Sequence, residues 1–125
     1  MPERRDPLTE RIIGLAIEVH KFLGPGLLES AYEECLCFEL ASQNVPFERQ
    51  VPLAIDYKSN RLDCGYRLDI VVDHALVIEV KSVERLVSLY DAQLLTYLKL
   101  SGIRTGLLLN FNAMLLKNGI KRLVL

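Results

Sequence analysis

The amino-acid sequence predicts a single α/β domain, a mixed β-sheet flanked by helices. Three observations carry that expectation. Apolar residues recur at helical spacing over residues 8–23 and 27–42, and residues 46–58 alternate apolar with polar in the manner of a strand. A helical stretch at 88–100 then separates two short apolar runs, 76–83 and 105–110, as a crossover between buried strands does. A chain of 125 residues, 50% of them hydrophobic, suits one core spanning 1–125 and leaves no room for a second.

Taken in order, Leu8, Ile12, Leu15, Ala16, Val19 and Phe22 define the apolar stripe of the first helix. Asp6 offers it an N-cap and Pro7 a first-turn proline, while residues 1–7 are otherwise expected to be a flexible tail. Gly24-Pro25-Gly26 stops the helix, and a second follows with Leu28, Ala31, Cys35 and Phe38 as its stripe. Phe47, Val51, Leu53, Ile55 and Tyr57 mark a strand. Lys58-Ser59-Asn60-Arg61 is a turn, 62–72 a second strand, Asp73-His74-Ala75 another turn, and 76–83 a third strand. The helix at 88–100 ends at Gly102, and 105–110 and 120–125 read as the last strands. The order is α-α-β-β-β-α-β-β, an antiparallel meander followed by a helical crossover.

Charge excludes less than its total suggests. There are 15 Lys and Arg against 16 Asp and Glu, a formal charge of −1, which taken alone disfavours a basic nucleic-acid binder. The distribution is uneven: residues 1–80 hold 8 basic and 14 acidic groups, and residues 81–125 hold 7 and 2. A basic C-terminal third can face a polyanion while the acidic part does something else. Uncharged apolar runs such as 106–109 fall far short of the roughly 20 residues a spanning helix needs. The mixed charge of residues 1–6 is unlike a signal peptide, so a cytoplasmic protein with no membrane partner is expected. Cys35, Cys37 and Cys64 have no zinc-type spacing and read as reduced, buried thiols.

The stretch 66–82 carries the chemistry. Alternation puts Val77, Glu79 and Lys81 on one face of their strand and Leu76, Ile78 and Val80 on the other. A three-residue loop, Asp73 to Ala75, would pair Val72 with Leu76 and set Asp69 directly across from Glu79. Cross-strand carboxylates lie about 4.5–5.5 Å apart at Cβ and repel. Lys81 offsets one charge; a divalent cation such as Mg²⁺ offsets both. The plainer alternative is a solvent-facing sheet with an ordinary Glu–Lys contact. Glu29, in the first turn of the second helix, also suits the helix dipole, and Gln93 and Tyr97 share one face of the following helix. His20, in the last turn of its helix, reads as structural and His74 as a solvated turn residue; no serine or cysteine stands beside either to suggest nucleophilic catalysis.

Gly26-Leu27-Leu28-Glu29-Ser30-Ala31-Tyr32 spells G-x-x-E-x-x-Y. With His20 to Gly26 before it, the segment resembles the opening of the small bacterial and archaeal GxxExxY proteins, placed in the PD-(D/E)XK nuclease superfamily. The likeness extends through Arg67-Leu68-Asp69-Ile70-Val71, Ile78-Glu79-Val80-Lys81-Ser82 and Gln93-Leu94-Leu95-Thr96-Tyr97. It implies a restriction-endonuclease-like fold with core order α-β-β-β-α-β, and a metal-dependent nuclease acting on nucleic acid, DNA rather than RNA. Asp69, Glu79 and Lys81 would match the superfamily's core motif and Glu29 its first-helix acid, with Asp69, Glu79 and Glu29 as ligands of Mg²⁺ or Mn²⁺. Gln93 and Tyr97 resemble the Q-x-x-x-Y element of exonuclease-like members, Gln93 in a catalytic and Tyr97 in a backbone-binding role. Leu68 stands where the motif has proline. Arg85, Lys99 and Arg104 are candidate phosphate contacts, and a homodimer is expected by analogy with other minimal nucleases. A catalytically silent binding module of the same fold, or an enzyme acting on nucleotides, are the competing readings.

Overall fold

In the computed structural model, which describes residues 6–125, the chain runs α1 (Pro7–Leu23), α2 (Glu29–Ser42), β1 (Phe47–Tyr57), β2 (Asn60–Val72), β3 (Leu76–Lys81), α3 (Ser88–Ser101), β4 (Thr105–Asn110) and β5 (Ile120–Val124). One further element, a 3₁₀ turn at Leu116–Gly119, escapes the sequence pattern because it lacks a periodic run. Asp6 and Pro7 do not belong to the flexible tail expected over residues 1–7. Asp6 accepts the Thr9 N–H (2.8 Å) as N-cap and Pro7 opens α1; residues 1–5 lie outside the described residues.

The five strands form one sheet in chain order. β1, β2 and β3 are antiparallel neighbours, β3 and β4 are parallel, and β5 returns antiparallel to β4. The α-β-β-β-α-β core order expected from the sequence is the order observed. Val72 pairs with Leu76, the register that the three-residue loop demands, with Asp73 and His74 both in the left-handed region at φ 51° and 52°. The β1–β2 turn likewise places Lys58 and Ser59 at positive φ, the geometry a two-residue hairpin loop requires.

Three layers result. α1 and α2 cover one face through Ile12, Ala16, Tyr32, Leu36 and Leu40, which pack on Ile70, Ile78 and Leu107. α3 covers the other through Leu94, Tyr97 and Leu98, which pack on Val71, Val77 and Leu108. β3 is therefore buried on both faces, and a solvent-facing sheet is excluded as its setting. The close seating of α3 depends on Gly106, where an added Cβ would stand 2.9 Å from the methyl carbons of Leu94.

Two stripes depart from expectation. On α1, Phe22 is exposed. On α2, Leu28 and Phe38 are exposed, and the buried residues are Tyr32, Glu33, Leu36, Cys37 and Leu40. The helix has turned because Glu33 finds a cationic and an amide partner on β1, Arg49 and Gln50, so a polar residue occupies the inward face. Cys37 is buried and Cys35 half-buried, whereas Cys64 is exposed, against the expectation of three buried thiols. Burial pushes the Cys37 thiol up to about 11, which leaves it unreactive.

Gly106→Val overpacks the contact with Leu94 and should lower stability by about 1–3 kcal/mol, read as the urea midpoint. In the double variant with Leu94→Ala the two losses should be less than additive, since the cavity accommodates the added methyls. Strict additivity would place the strain elsewhere.

Candidate active site

The site lies where β2 and β3 part. Their backbone register runs from Val72↔Leu76 to Ile70↔Ile78 and stops one residue before Asp69 and Glu79 would face each other. At that point two carboxylates replace the ladder. Asp69 N–H donates to Glu79 Oε2 (2.9 Å), and Val80 N–H donates to Asp69 Oδ2 (2.8 Å). The β1–β2 ladder is interrupted here as well: Gln50, opposite on β1, sits at φ 50°, and it makes no pair between Arg49↔Ile70 and Val51↔Leu68, although the register is the same on either side. Leu68 consequently packs with the α3 layer although Ile70, two residues on, packs under α1 and α2.

Glu79 is 4% exposed and Asp69 half-buried. Neither has an ion-pair partner within 4 Å among the described residues. Burial raises the Glu79 carboxyl to about 8, with repulsion from Asp69 adding to it; burial likewise raises Asp69. Lys81, at the end of β3, opposes both shifts. Its ammonium lies 4.7 Å from the centre of the Tyr90 ring and donates to Gln93 Oε1 at 3.4 Å. Tyr97, one turn beyond Gln93, is buried close enough for Glu79 and Asp69 to raise its phenol further than burial alone does.

Glu29 approaches from α2. Its Oε2 accepts the Ser82 N–H (3.2 Å), and Ser82 Oγ donates to Leu27 O (2.6 Å). Tyr32 closes the same segment from inside: its hydroxyl donates to Gly24 O (2.6 Å) and accepts the Leu27 N–H (3.1 Å), and its ring stacks on Phe111 at 4.6 Å. Gly26, at φ 100°, makes the turn that allows this. The G-x-x-E-x-x-Y residues thus have separable tasks: the glycine turns the loop, the tyrosine ties it, and the glutamate fastens it to the end of β3.

Asp69, Glu79, Lys81, Gln93 and Tyr97 are brought together as the sequence predicts. Glu29 stands at the rim, near enough to raise Asp69, but no three His, Cys, Asp or Glu side chains among the described residues form a cluster able to cage a metal ion. The basic residues divide. Arg85 is exposed in the loop after β3, on the site's side of the sheet. Arg104 lies at the opposite end, because α3 runs back from the end of β3 to the start of β4. Thr105 pairs with Leu76 and Asn110 with Lys81, a span of about 16 Å at strand rise. Arg104 donates there to Leu125 O. Lys99 is exposed and about 200° around α3 from Tyr97. The expected phosphate roles of Lys99 and Arg104 have no support from their positions.

Four contributors were missed by sequence reasoning. Glu33, buried and held by Arg49 (2.8 Å) and Gln50 (2.8 Å), faces the same carboxylates; its i,i+4 spacing from Glu29 was an available signal. Asn110 anchors the loop after β3 by accepting the Val83 N–H (3.1 Å) and donating to Val83 O (3.0 Å). Tyr90 and Tyr66 had no local signal, since each acts through a partner distant in sequence. His20 is structural as expected, its Nε2 2.8 Å from Ala113 O, and His74 is exposed.

A PD-(D/E)XK nuclease superfamily model matches residues 6–123, and the chain belongs to that superfamily. Its single domain, with a five-stranded mixed sheet and three helices, is consistent with the restriction-endonuclease-like fold. Membership points to nuclease chemistry, and members generally use divalent metals. Neither a curated protein nor a solved structure matches the chain. No helix among the described residues is long and apolar enough to cross a membrane.

The donor set here suits a hard cation. Asp69 Oδ1 and Glu79 Oε1 take no hydrogen bond among the described residues, both are oxygen, and a divalent ion would relieve the repulsion that burial intensifies. Stability carries the signature. Glu79 in the folded protein keeps a proton that the unfolded chain releases near 4.5, so stability falls as pH rises from about 4.5 to about 8. Glu79→Gln keeps an acceptor for the Asp69 N–H and removes the titration. In metal-free buffer it should raise the melting temperature at pH 8 by on the order of 5 °C, with the gain vanishing at pH 5. An equal gain at both pH values would show that burial of the charge is not the cause.

Proposed function

We propose that this protein is a metal-dependent nuclease that hydrolyses phosphodiester bonds of nucleic acid, DNA in the first instance, and that it falls in the GxxExxY branch of its superfamily. The observation that carries the reading is the buried Asp69–Glu79 pair with Lys81 beside it, at the edge of an open cleft. The branch assignment is supported by Gly26, Glu29 and Tyr32, whose interlocking bonds account for all three named positions of the motif.

Asp69 and Glu79 would hold Mg²⁺ or Mn²⁺, with Glu29 acting on the ion through water. Such an ion supplies a Lewis acid for the phosphate and lowers the pKa of its bound water. The chain's own residues do the rest. The Lys81 ammonium is aimed by Tyr90 and Gln93 and stabilises negative charge building on the phosphate oxygens. Gln93, by accepting from Lys81, positions it. Tyr97 and Arg85 contact the sugar-phosphate backbone. A catalytically silent module is disfavoured because it would have no need to bury two repelling carboxylates.

Self-association is part of the proposal. Phe22, Leu28 and Phe38 are 81%, 77% and 71% exposed, and the groove between α1 and α2 is lined by Val19, Phe22, Leu23 and Phe38. An apolar surface of this kind suits a second copy of the chain.

Linear, nicked, single-stranded and branched DNA and RNA should be incubated with Mg²⁺ or Mn²⁺. The wild type should cleave at least one of them, with Glu79→Ala and Lys81→Ala each reducing the rate by 10²-fold or more, on the scale of lost electrostatic stabilisation. Calorimetric titration with Mn²⁺ should lose its signal in Asp69→Ala. Wild-type activity no better than that of Glu79→Ala on every substrate would sink the nuclease reading. Light scattering should return about twice the 14.2 kDa chain mass, falling to one chain in Phe22→Lys with Phe38→Lys; a monomeric wild type removes the dimer.

A further inference from the structure

Beside the carboxylates is an open cleft of about 380 Å³ lined by Ile55, Tyr66, Leu89, Gln93, Tyr97 and Leu100. Gln93 belongs to both regions, since its Oε1 takes the Lys81 proton donor while its side chain forms part of the cleft wall. Tyr66 and Tyr97 meet edge to face with ring centres 6.1 Å apart. Tyr66 is 44% exposed and Leu89, on the lip, 71% exposed, so apolar surface faces outward directly next to the reactive groups.

We propose that this cleft receives an unstacked nucleobase, and that the substrate is therefore single-stranded nucleic acid or an unpaired end rather than an intact duplex. The inference rests on the nuclease reading for its substrate class and goes beyond it in naming which strands are taken. The chemistry of the walls selects the occupant. A sugar-phosphate chain brings no flat apolar surface to such a cleft, whereas every base has one. Inside a duplex both faces of a base are covered by its neighbours, so only a base already free of the stack can enter.

The charge distribution points the same way. Affinity for a duplex comes largely from rows of cations along its phosphates. Here Lys121 is paired with Asp91, Arg122 with Asp6, and Arg104 donates to Leu125 O. Lys117 lies on the face covered by α1, beside Ile17 and His20. Of the seven cations in the basic third, Lys81, Arg85 and the exposed Lys99 of α3 remain among the described residues, too few to track a duplex. Stacking supplies the binding that these cations do not.

Fluorescence anisotropy in EDTA separates binding from cleavage. The probes are labelled dT12, U12, a blunt dT12·dA12 duplex and an abasic strand of the same length. Wild type should bind dT12 at least 10-fold more tightly than the duplex or the abasic strand. Tyr66→Ala should weaken dT12 binding by about 10-fold, the scale of one lost base–aromatic stack, with Tyr66→Phe near wild type. Leu89→Gln, on the exposed lip and clear of the core, should weaken it in the same direction and guards against a folding defect in Tyr66→Ala. Equal binding of U12 and dT12 supports recognition of the base without the sugar; preference for one identifies the natural strand. Duplex bound as tightly as dT12, no measurable binding of dT12, or both substitutions leaving its affinity within 2-fold overturns the cleft. Base-dependent binding without metal-dependent cleavage leaves the cleft standing and removes the nuclease reading. Cleavage of duplex that is indifferent to Tyr66 and Leu89 does the reverse.

Discussion

Two carboxylates set between β2 and β3 determine how the rest of the molecule is arranged. In an uninterrupted antiparallel pair, hydrogen-bonded and non-hydrogen-bonded pairs alternate, so only one of the Asp69 and Val80 N–H groups would face a carbonyl of the opposite strand. Here each is taken by a side chain of the opposite strand. The substitution keeps both backbone donors satisfied, which burial requires, while letting the strands separate. It also brings two negative charges into a layer closed on both sides. Charges so placed are costly unless neutralised, and Lys81 alone cannot neutralise both. Binding of a cation, as proposed, would turn this cost into function.

The segment between α1 and α2 acts as a brace for that opening. β3 is six residues long, and beyond it the chain has no ladder to hold it. Glu29 and Leu27 take the backbone and side chain of Ser82, and Asn110 takes Val83 from the other side. The loop making the first of these contacts would itself be loose without the Tyr32 hydroxyl, which bridges Gly24 and Leu27. Gly119, packed against the Asn110 carbonyl with no space for a Cβ, keeps the second contact close. Lys81 is thereby fixed from both ends of its neighbourhood, by backbone after it and by α3 above it. A rigid ammonium is what charge stabilisation at a phosphate needs.

The parts of this site legible in the sequence were those set by local geometry. A three-residue turn with two left-handed positions determines the β2–β3 register, and that register brings Asp69 and Glu79 together one residue beyond the last ladder pair, without any knowledge of the fold. Helical spacing likewise put Gln93 and Tyr97 on one side of α3. What escaped depended on contacts far apart along the chain. Glu33 turns inward because Arg49 and Gln50 meet it there, and that rotates α2 away from the stripe its apolar residues suggest. The interruption of the β1–β2 ladder at Gln50 and Asp69 hands Leu68 to the other layer, which strict alternation cannot anticipate. Lys99 and Arg104 were placed by their position in a basic stretch, yet a crossover helix carries the chain back along the sheet. Proximity in sequence to the site therefore becomes distance from it.

The same reversal changes the meaning of the near-neutral charge. Counting along the chain divides it into an acidic part and a basic part, as though one held metal and the other nucleic acid. In the fold, several of the basic groups are occupied by structural tasks: Lys121 fastens β5 to α3 through Asp91, and Arg122 meets the N-cap of α1. Glu29 and Glu33 meanwhile surround the reactive pair with further negative charge. On the proposed reading, a phosphate reaching the carboxylates themselves meets repulsion until a cation is in place. Ion binding and substrate binding would then be coupled through the same field, and the apolar cleft beside Gln93 would be the part of the site that attracts a strand without regard to charge.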